Sequence, residues 1–170
     1  MRAELREALR PYRDRYPDAR WTLAETWHLT LLFLGEVQPV RVAELERLMD
    51  DVASHTRPYD VRADRGGGRT GRRDGVAWLG LGAGASELIA AADALVADCP
   101  PDIAGGKPPR RTPSAHVTVA RRADGQVVDA LRTPALGDLD VAWHVDRLCL
   151  VRSHLETGGA RYVTLDEVSL

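Results

Sequence analysis

His28-Leu29-Thr30-Leu31 and His116-Val117-Thr118-Val119 carry the same order of residue types, histidine, aliphatic, threonine, aliphatic, once in each half of the chain. Any fold adopted by this sequence has to place that repetition. Alternation along an extended segment puts each histidine on one face with the threonine two residues on, while the aliphatic residues pack behind. At average composition such a tripeptide follows a given histidine on the order of one time in 200, yet it follows two of the 5 histidines here. Threonine and aliphatic residues also favour strands for packing alone, and a single strand histidine ordinarily satisfies a backbone group. The duplication argues for a paired site.

The chemistry of the pair is specific. Two imidazoles that titrate near neutrality serve as general acid and general base when they flank one reacting centre. Both must reach that centre by hydrogen bond, which predicts ring atoms roughly 5–8 Å apart across one phosphate. The hydroxyls of Thr30 and Thr118 can donate to non-bridging phosphate oxygens as charge builds on them. Arginine adds a permanent cation with a planar pair of donors. Two histidines, two threonines and an arginine form a phosphoester site that needs no metal.

The pattern along the chain predicts α+β structure with mostly antiparallel sheets, because strands and helices mix without strict βαβ alternation. Helices are expected over residues 2–15, over Pro39 to about Ser54, over Ser86–Ala97 and over Gln126–Leu131. Strands are expected at Arg20–Leu23, Trp27–Leu34, Tyr59–Ala63, Val76–Leu81, Ala115–Ala120, Leu139–Val151 and Tyr162–Val168. RGGGRTGRRDG reads as a flexible basic loop, and CPPDIAGGKPPRRTPS as a long proline-rich one.

With 170 residues, 44% of them apolar, the chain is long enough to bury a core and too apolar for disorder. No run approaches a membrane span and no signal peptide is visible, which predicts a cytoplasmic protein. Cys99 and Cys149 have no metal-ligand or CxxC spacing and read as free thiols. The net charge of −2 hides two basic segments. One holds Arg57, Arg62, Arg65, Arg69, Arg72 and Arg73; the other holds Lys107, Arg110, Arg111, Arg121 and Arg122. Basic stretches on an acidic body point to a local anion site. Gly80–Ala85 matches a dinucleotide glycine pattern, but the proline-rich stretch after the next helix cannot supply the second parallel strand. His55, His144 and His154 have no ligand-like spacing, so neither a metal nor a cofactor is expected.

HLTLLFLGEV followed by HVTVAR resembles the two-histidine (2H) phosphoesterases, in particular the RNA 2′,3′-cyclic phosphodiesterases also called 2′-5′ RNA ligases. RWTLAETWHLTLLFLGEV is similar to the first motif block of that family, VAWLGL to a strand after its middle loop, SAHVTVAR to its second motif, and LCLVRSHLETGGARYVTL to its closing strands. The resemblance implies a bilobal α+β fold, with residues 1–170 as one domain. Two mostly antiparallel sheets and outer helices would surround a central cleft, and each lobe would contribute one motif, 28–31 and 116–119. It implies hydrolysis of a 2′,3′-cyclic phosphate at an RNA end to a 2′-phosphomonoester, with an RNA or oligonucleotide as partner. His28 then corresponds to the proton donor for the departing 3′ oxygen and His116 to the base that activates water. Thr30, Thr118 and Arg121 would bind the phosphate.

Three features depart from that family. The family opens with a strand before the first helix, which predicts an exposed, apolar strand edge near the opening helix here, or a partner packed over it. Its middle loop carries a Gly-x-Phe, which RGGGRTGRRDG lacks. Strict alternation also puts Arg121 on the face opposite His116 and Thr118, so its role requires the strand to end or bulge before it. Two alternative activities share the same features: a non-catalytic module for RNA ends or nucleotides, and a phosphodiesterase for another cyclic phosphate, such as a cyclic nucleotide or an ADP-ribose derivative.

Overall fold

The computed structural model describes residues 2–71, 75–103, 109–111, 114–133, 139–157 and 159–170. The fold is α+β, as expected. Its helices are α1 (Arg2–Arg15), α2 (Val42–His55), α3 (Ala85–Asp98) and α4 (Gly125–Arg132). Its strands are β1 (Arg20–Trp21), β2 (Leu32–Phe33), β3 (Tyr59–Arg69), β4 (Val76–Leu81), β5 (Arg110–Arg111), β6 (His116–Arg121), β7 (Val141–Val145), β8 (Arg147–Glu156) and β9 (Gly159–Ser169). The ladders β1–β6, β4–β6, β3–β4, β2–β5 and β8–β9 are all antiparallel.

The chain divides into two compact units. The first comprises Met1–Thr30, Asp60–Ala85 and Ser114–His144. Its sheet has the order β1-β6-β4-β3-β7. The apolar stripe Leu5, Leu9 and Tyr12 of α1 is fully buried, with Pro11 on the exposed side, where its missing N–H costs least. Helix α4 starts where the Asp124 carboxylate accepts the Val127 N–H at 3.0 Å, an N-cap that satisfies a donor the helix leaves unpaired. Its buried Val127, Val128 and Leu131 face the sheet.

The glycine run expected as a loop lies inside β3. An added Cβ at Gly66 would sit 1.9 Å from the Leu131 carbonyl oxygen, and one at Gly68 would sit 2.5 Å from a Val128 methyl carbon. These glycines let the strand approach α4 closely rather than turn away from it. Residues 72–74 of the expected loop lie outside the described residues.

The second unit comprises Leu31–Tyr59, Ser86–Pro113 and Val145–Leu170. Leu45, Leu48, Met49 and Val52 of α2, Leu95 of α3, Ile103, and Leu148 and Leu150 of β8 form its core. At the start of α2, Arg41 binds Glu44 at 2.6 Å and Asp102 at 3.1 Å, which fixes the Ile103 turn beside the helix. The strand expected over Leu139–Val151 is interrupted at Asp146, giving β7 and β8.

The strand expected over Trp27–Leu34 shrinks to Leu32–Phe33, paired with Arg111 and Arg110. Trp27 is extended, but its N–H closes a turn onto the Ala24 carbonyl rather than joining a ladder. An alternating pattern reports extended backbone; it does not report a pairing partner. His28–Thr30 and the whole second motif fall in the first unit, and the second unit begins at Leu31.

Candidate active site

On β6 the burial order resolves the difficulty over Arg121. Val117, Val119 and Ala120 are fully buried, His116 and Thr118 are half-buried, and Arg121 is exposed. The register explains this: Ala77 of β4 pairs with Ala120, and the next residue, Trp78, pairs with Thr118. Val119 is therefore an extra residue, a β-bulge that inverts the alternation beyond it. Arg121 thus joins the face that carries His116 and Thr118. Arg122, with φ of 52°, then turns the chain out of the strand. Among the described residues no carboxylate pairs with Arg121.

The bulge is held by a residue that the motif reading missed. The Thr22 backbone N–H donates to the Val119 carbonyl at 2.9 Å. The Thr22 hydroxyl shares its proton between the carbonyls of Thr118, at 3.1 Å, and Val119, at 3.0 Å. That hydroxyl accepts in turn from the Trp27 indole N–H at 2.8 Å. Trp27 is 3% exposed and immediately precedes His28. One threonine therefore ties the segment bearing the first motif to the strand bearing the second. In the sequence Thr22 has no periodicity or spacing to mark it.

Both histidines are oriented in the same way. The His28 Nδ1 lies 2.7 Å from the carbonyl oxygen of Thr26, and the His116 Nδ1 lies 2.8 Å from that of Ser114. Each contact is to the carbonyl two residues upstream. A carbonyl only accepts, so Nδ1 carries the proton in both rings and the neutral form of each has its lone pair on Nε2. His116 is braced further by the Trp78 indole, with ring centroids 5.6 Å apart at 52°, an edge-tilted aromatic contact. His28 is exposed and Thr30 half-buried on the segment that leads out of the first unit.

The sheet face that carries His116 continues across β4 and β3. The cross-strand rows run His116–Gly80–Arg65 and Thr118–Trp78–Gly67. A Cβ at Gly67 would lie 2.5 Å from the Trp78 Nε1, so the indole rests over a glycine that has no side chain to displace it. Several arginines of the first basic segment lie on the exposed side of β3. Arg62 pairs with Asp140, and Arg65 pairs with Asp64. Among the described residues no cluster of three or more His, Cys, Asp or Glu could hold a metal ion, and no helix is long and apolar enough to cross a membrane.

A family model described as the 2'-5' RNA ligase superfamily matches residues 2–157. Over 145 residues the chain is 30% identical to an RNA 2',3'-cyclic phosphodiesterase of Geobacillus stearothermophilus, covering 82% of this chain and 44% of that protein. It therefore spans less than half the length of that relative. Among solved structures it is similar to E. coli LigT complexed with 3'-AMP, at 25% identity and a TM-score of 0.74, covering 99% of this chain and 92% of that one. It is similar as well to TT0787 of Thermus thermophilus, at 25% identity and a TM-score of 0.73, with coverage of 99% and 91%. By this match along most of its length, the chain belongs to the 2'-5' RNA ligase superfamily, the 2H phosphoesterases.

Proposed function

We propose that this protein hydrolyses 2′,3′-cyclic phosphate ends of RNA to 2′-phosphomonoesters, using His28 and His116 as a metal-independent acid–base pair. The observation that carries the proposal is the matched anchoring of the two imidazoles. Each Nδ1 is committed to the carbonyl two residues upstream, so each Nε2 is the proton-transferring atom. The name of the Geobacillus stearothermophilus relative supports the substrate class.

In the proposed reaction the neutral His116 Nε2 accepts a proton from water as its oxygen attacks phosphorus. The P–O3′ bond breaks, and protonated His28 delivers its Nε2 proton to the departing 3′ oxygen. The product keeps phosphate on the 2′ oxygen, and the two histidines end with their protonation states exchanged. Thr30, Thr118 and Arg121 take the non-bridging oxygens, where hydrogen bonds and positive charge count most as the transition state forms. The bulge at Val119 supports the assignment of Arg121, because it puts the guanidinium on the His116 face.

The test is incubation of the protein with an oligoribonucleotide ending in a 2′,3′-cyclic phosphate, with and without EDTA, followed by identification of the product isomer. A 2′-phosphate formed at the same rate in both arms is the expected result. A 3′-phosphate, or loss of turnover with chelator, contradicts the proposal.

A further inference from the structure

We propose that Arg65 and Trp78 form a second subsite, which binds the nucleotide on the 5′ side of the reacting one, with Arg65 holding its phosphodiester. The inference rests on the functional reading above and specifies its substrate as an oligonucleotide rather than a cyclic mononucleotide.

The geometry comes from a second bulge. Ala63 pairs with Leu81 and Arg65 with Gly80, so Asp64 is an extra residue on β3 and the alternation shifts by one. Asp64 and Arg65 are consecutive exposed residues as a result, flanked by buried Ala63 and half-buried Gly66. Arg65 thereby joins the face shared by Trp78, Thr118 and His116. Without the bulge it would point toward α4.

Gly80 then decides where the Arg65 side chain runs. It stands between Arg65 and His116 in the cross-strand row and contributes no side chain. A Cβ there would lie 3.0 Å from the Arg65 Cγ and 3.4 Å from its Cδ. The aliphatic stem therefore lies over β4, leaning toward the strand that carries His116. Two strand spacings, about 10 Å, separate the backbones of Arg65 and His116, and the stem crosses part of that distance.

The guanidinium is prepared for an anion. Its Nε donates to the Asp64 Oδ1 at 3.0 Å, which fixes its plane. Its side chain is 65% exposed, and among the described residues its two Nη atoms have no partner. A phosphodiester suits such a planar pair of donors. Beside the row that joins Arg65 to His116, over Gly67 and with its ring 5.6 Å from that of His116, lies the half-buried Trp78 indole, a flat apolar surface of the kind on which nucleobases stack. A ring surface against His116, with a bidentate cation two strands away on the same face, fits a chain of nucleotides. A lone cyclic mononucleotide has no second phosphate to reach Arg65.

Steady-state kinetics on three substrates tests this: a nucleoside 2′,3′-cyclic phosphate, a dinucleotide ending in the same cyclic phosphate, and that dinucleotide with an uncharged methylphosphonate linkage. For Arg65→Gln, kcat/KM on the charged dinucleotide should fall at least about tenfold through KM, the loss typical of one charge-assisted hydrogen-bonding partner. The other two substrates should stay within about twofold of wild type, because neither presents an anion to Arg65. Arg65→Lys should recover part of the loss. An equal fall on all three substrates, or no fall on the charged dinucleotide, overturns the inference while leaving the functional reading in place. A wild type that turns over none of the three overturns both.

Discussion

The hydroxyl of Thr22 lies 3.0 Å from the carbonyl oxygen of Val119, the residue by which β6 bulges, and accepts the indole N–H of Trp27 at 2.8 Å. The isosteric Thr22→Val leaves the Trp27 donor unpaired and removes the hydroxyl bond to the Thr118 and Val119 carbonyls, while the backbone N–H of residue 22 still donates to Val119. We expect a loss of roughly 1–3 kcal/mol of stability, the cost of stranding a largely buried polar group. Activity should fall beyond what that stability loss explains, while Thr22→Ser should retain most of both. Urea unfolding and kcat measured on the three proteins check this. Equal activity in Thr22→Val and wild type would show that the link is structural only.

Gly66 and Gly125 carry opposite expectations. At Gly66 a methyl group would lie 1.9 Å from the Leu131 carbonyl oxygen. Backbone stands in its way, so Gly66→Ala should destabilise by about 3 kcal/mol or more. Gly125, at the start of α4, has nothing within 4 Å of its added Cβ. There Gly→Ala should stabilise by about 0.4–1 kcal/mol, chiefly by restricting the unfolded chain. Melting temperatures should move in opposite directions.

Arg41 holds both Glu44 and Asp102 below the ordinary carboxylate range, chiefly by donating side-chain hydrogen bonds to each. A carboxylate with a depressed folded-state pKa contributes stability that is present at neutral pH. That contribution is lost as pH falls from the unfolded value through the folded one. The difference in stability between wild type and Arg41→Ala should therefore be constant near neutrality and shrink in acid below the ordinary carboxylate values. Denaturant midpoints taken across that range read it out. A difference that grows on acidification contradicts the assignment.

Arg121 shares the sheet face of His116 and Thr118 by virtue of one inserted residue. We expect Arg121→Gln to lower kcat/KM at least about tenfold, with partial recovery in Arg121→Lys, which keeps the charge but loses the fork. Thermal stability should change little, because the side chain is exposed and no carboxylate pairs with it among the described residues.

How much of this was legible in the sequence depends on which physical signal each feature leaves. The helices show because burial imposes a repeat, and Leu5, Leu9 and Tyr12, like Leu45, Leu48, Met49 and Val52, follow it. His28 and His116 show because their motif is duplicated. Arg121 could be named as a candidate, but strict alternation could not bring it to the face of His116, since a bulge is a property of pairing and leaves no composition signal at Val119. The glycines of β3 mislead for a related reason. Glycine marks a turn or a close approach equally well, and only the contact with α4 distinguishes them. The anchors of both imidazoles are backbone carbonyls, which no residue type announces.

The central claim is that His28 and His116 act together as acid and base, and kcat/KM for a 2′,3′-cyclic-phosphate oligoribonucleotide across pH tests it most directly. Wild type should give a bell-shaped profile, and His28→Ala and His116→Ala should each fall at least ~100-fold, the range for removal of a general acid or base. Each variant should also lose one limb of the bell. Full activity in the double variant, or a bell-shaped profile unchanged in either single one, would contradict the account.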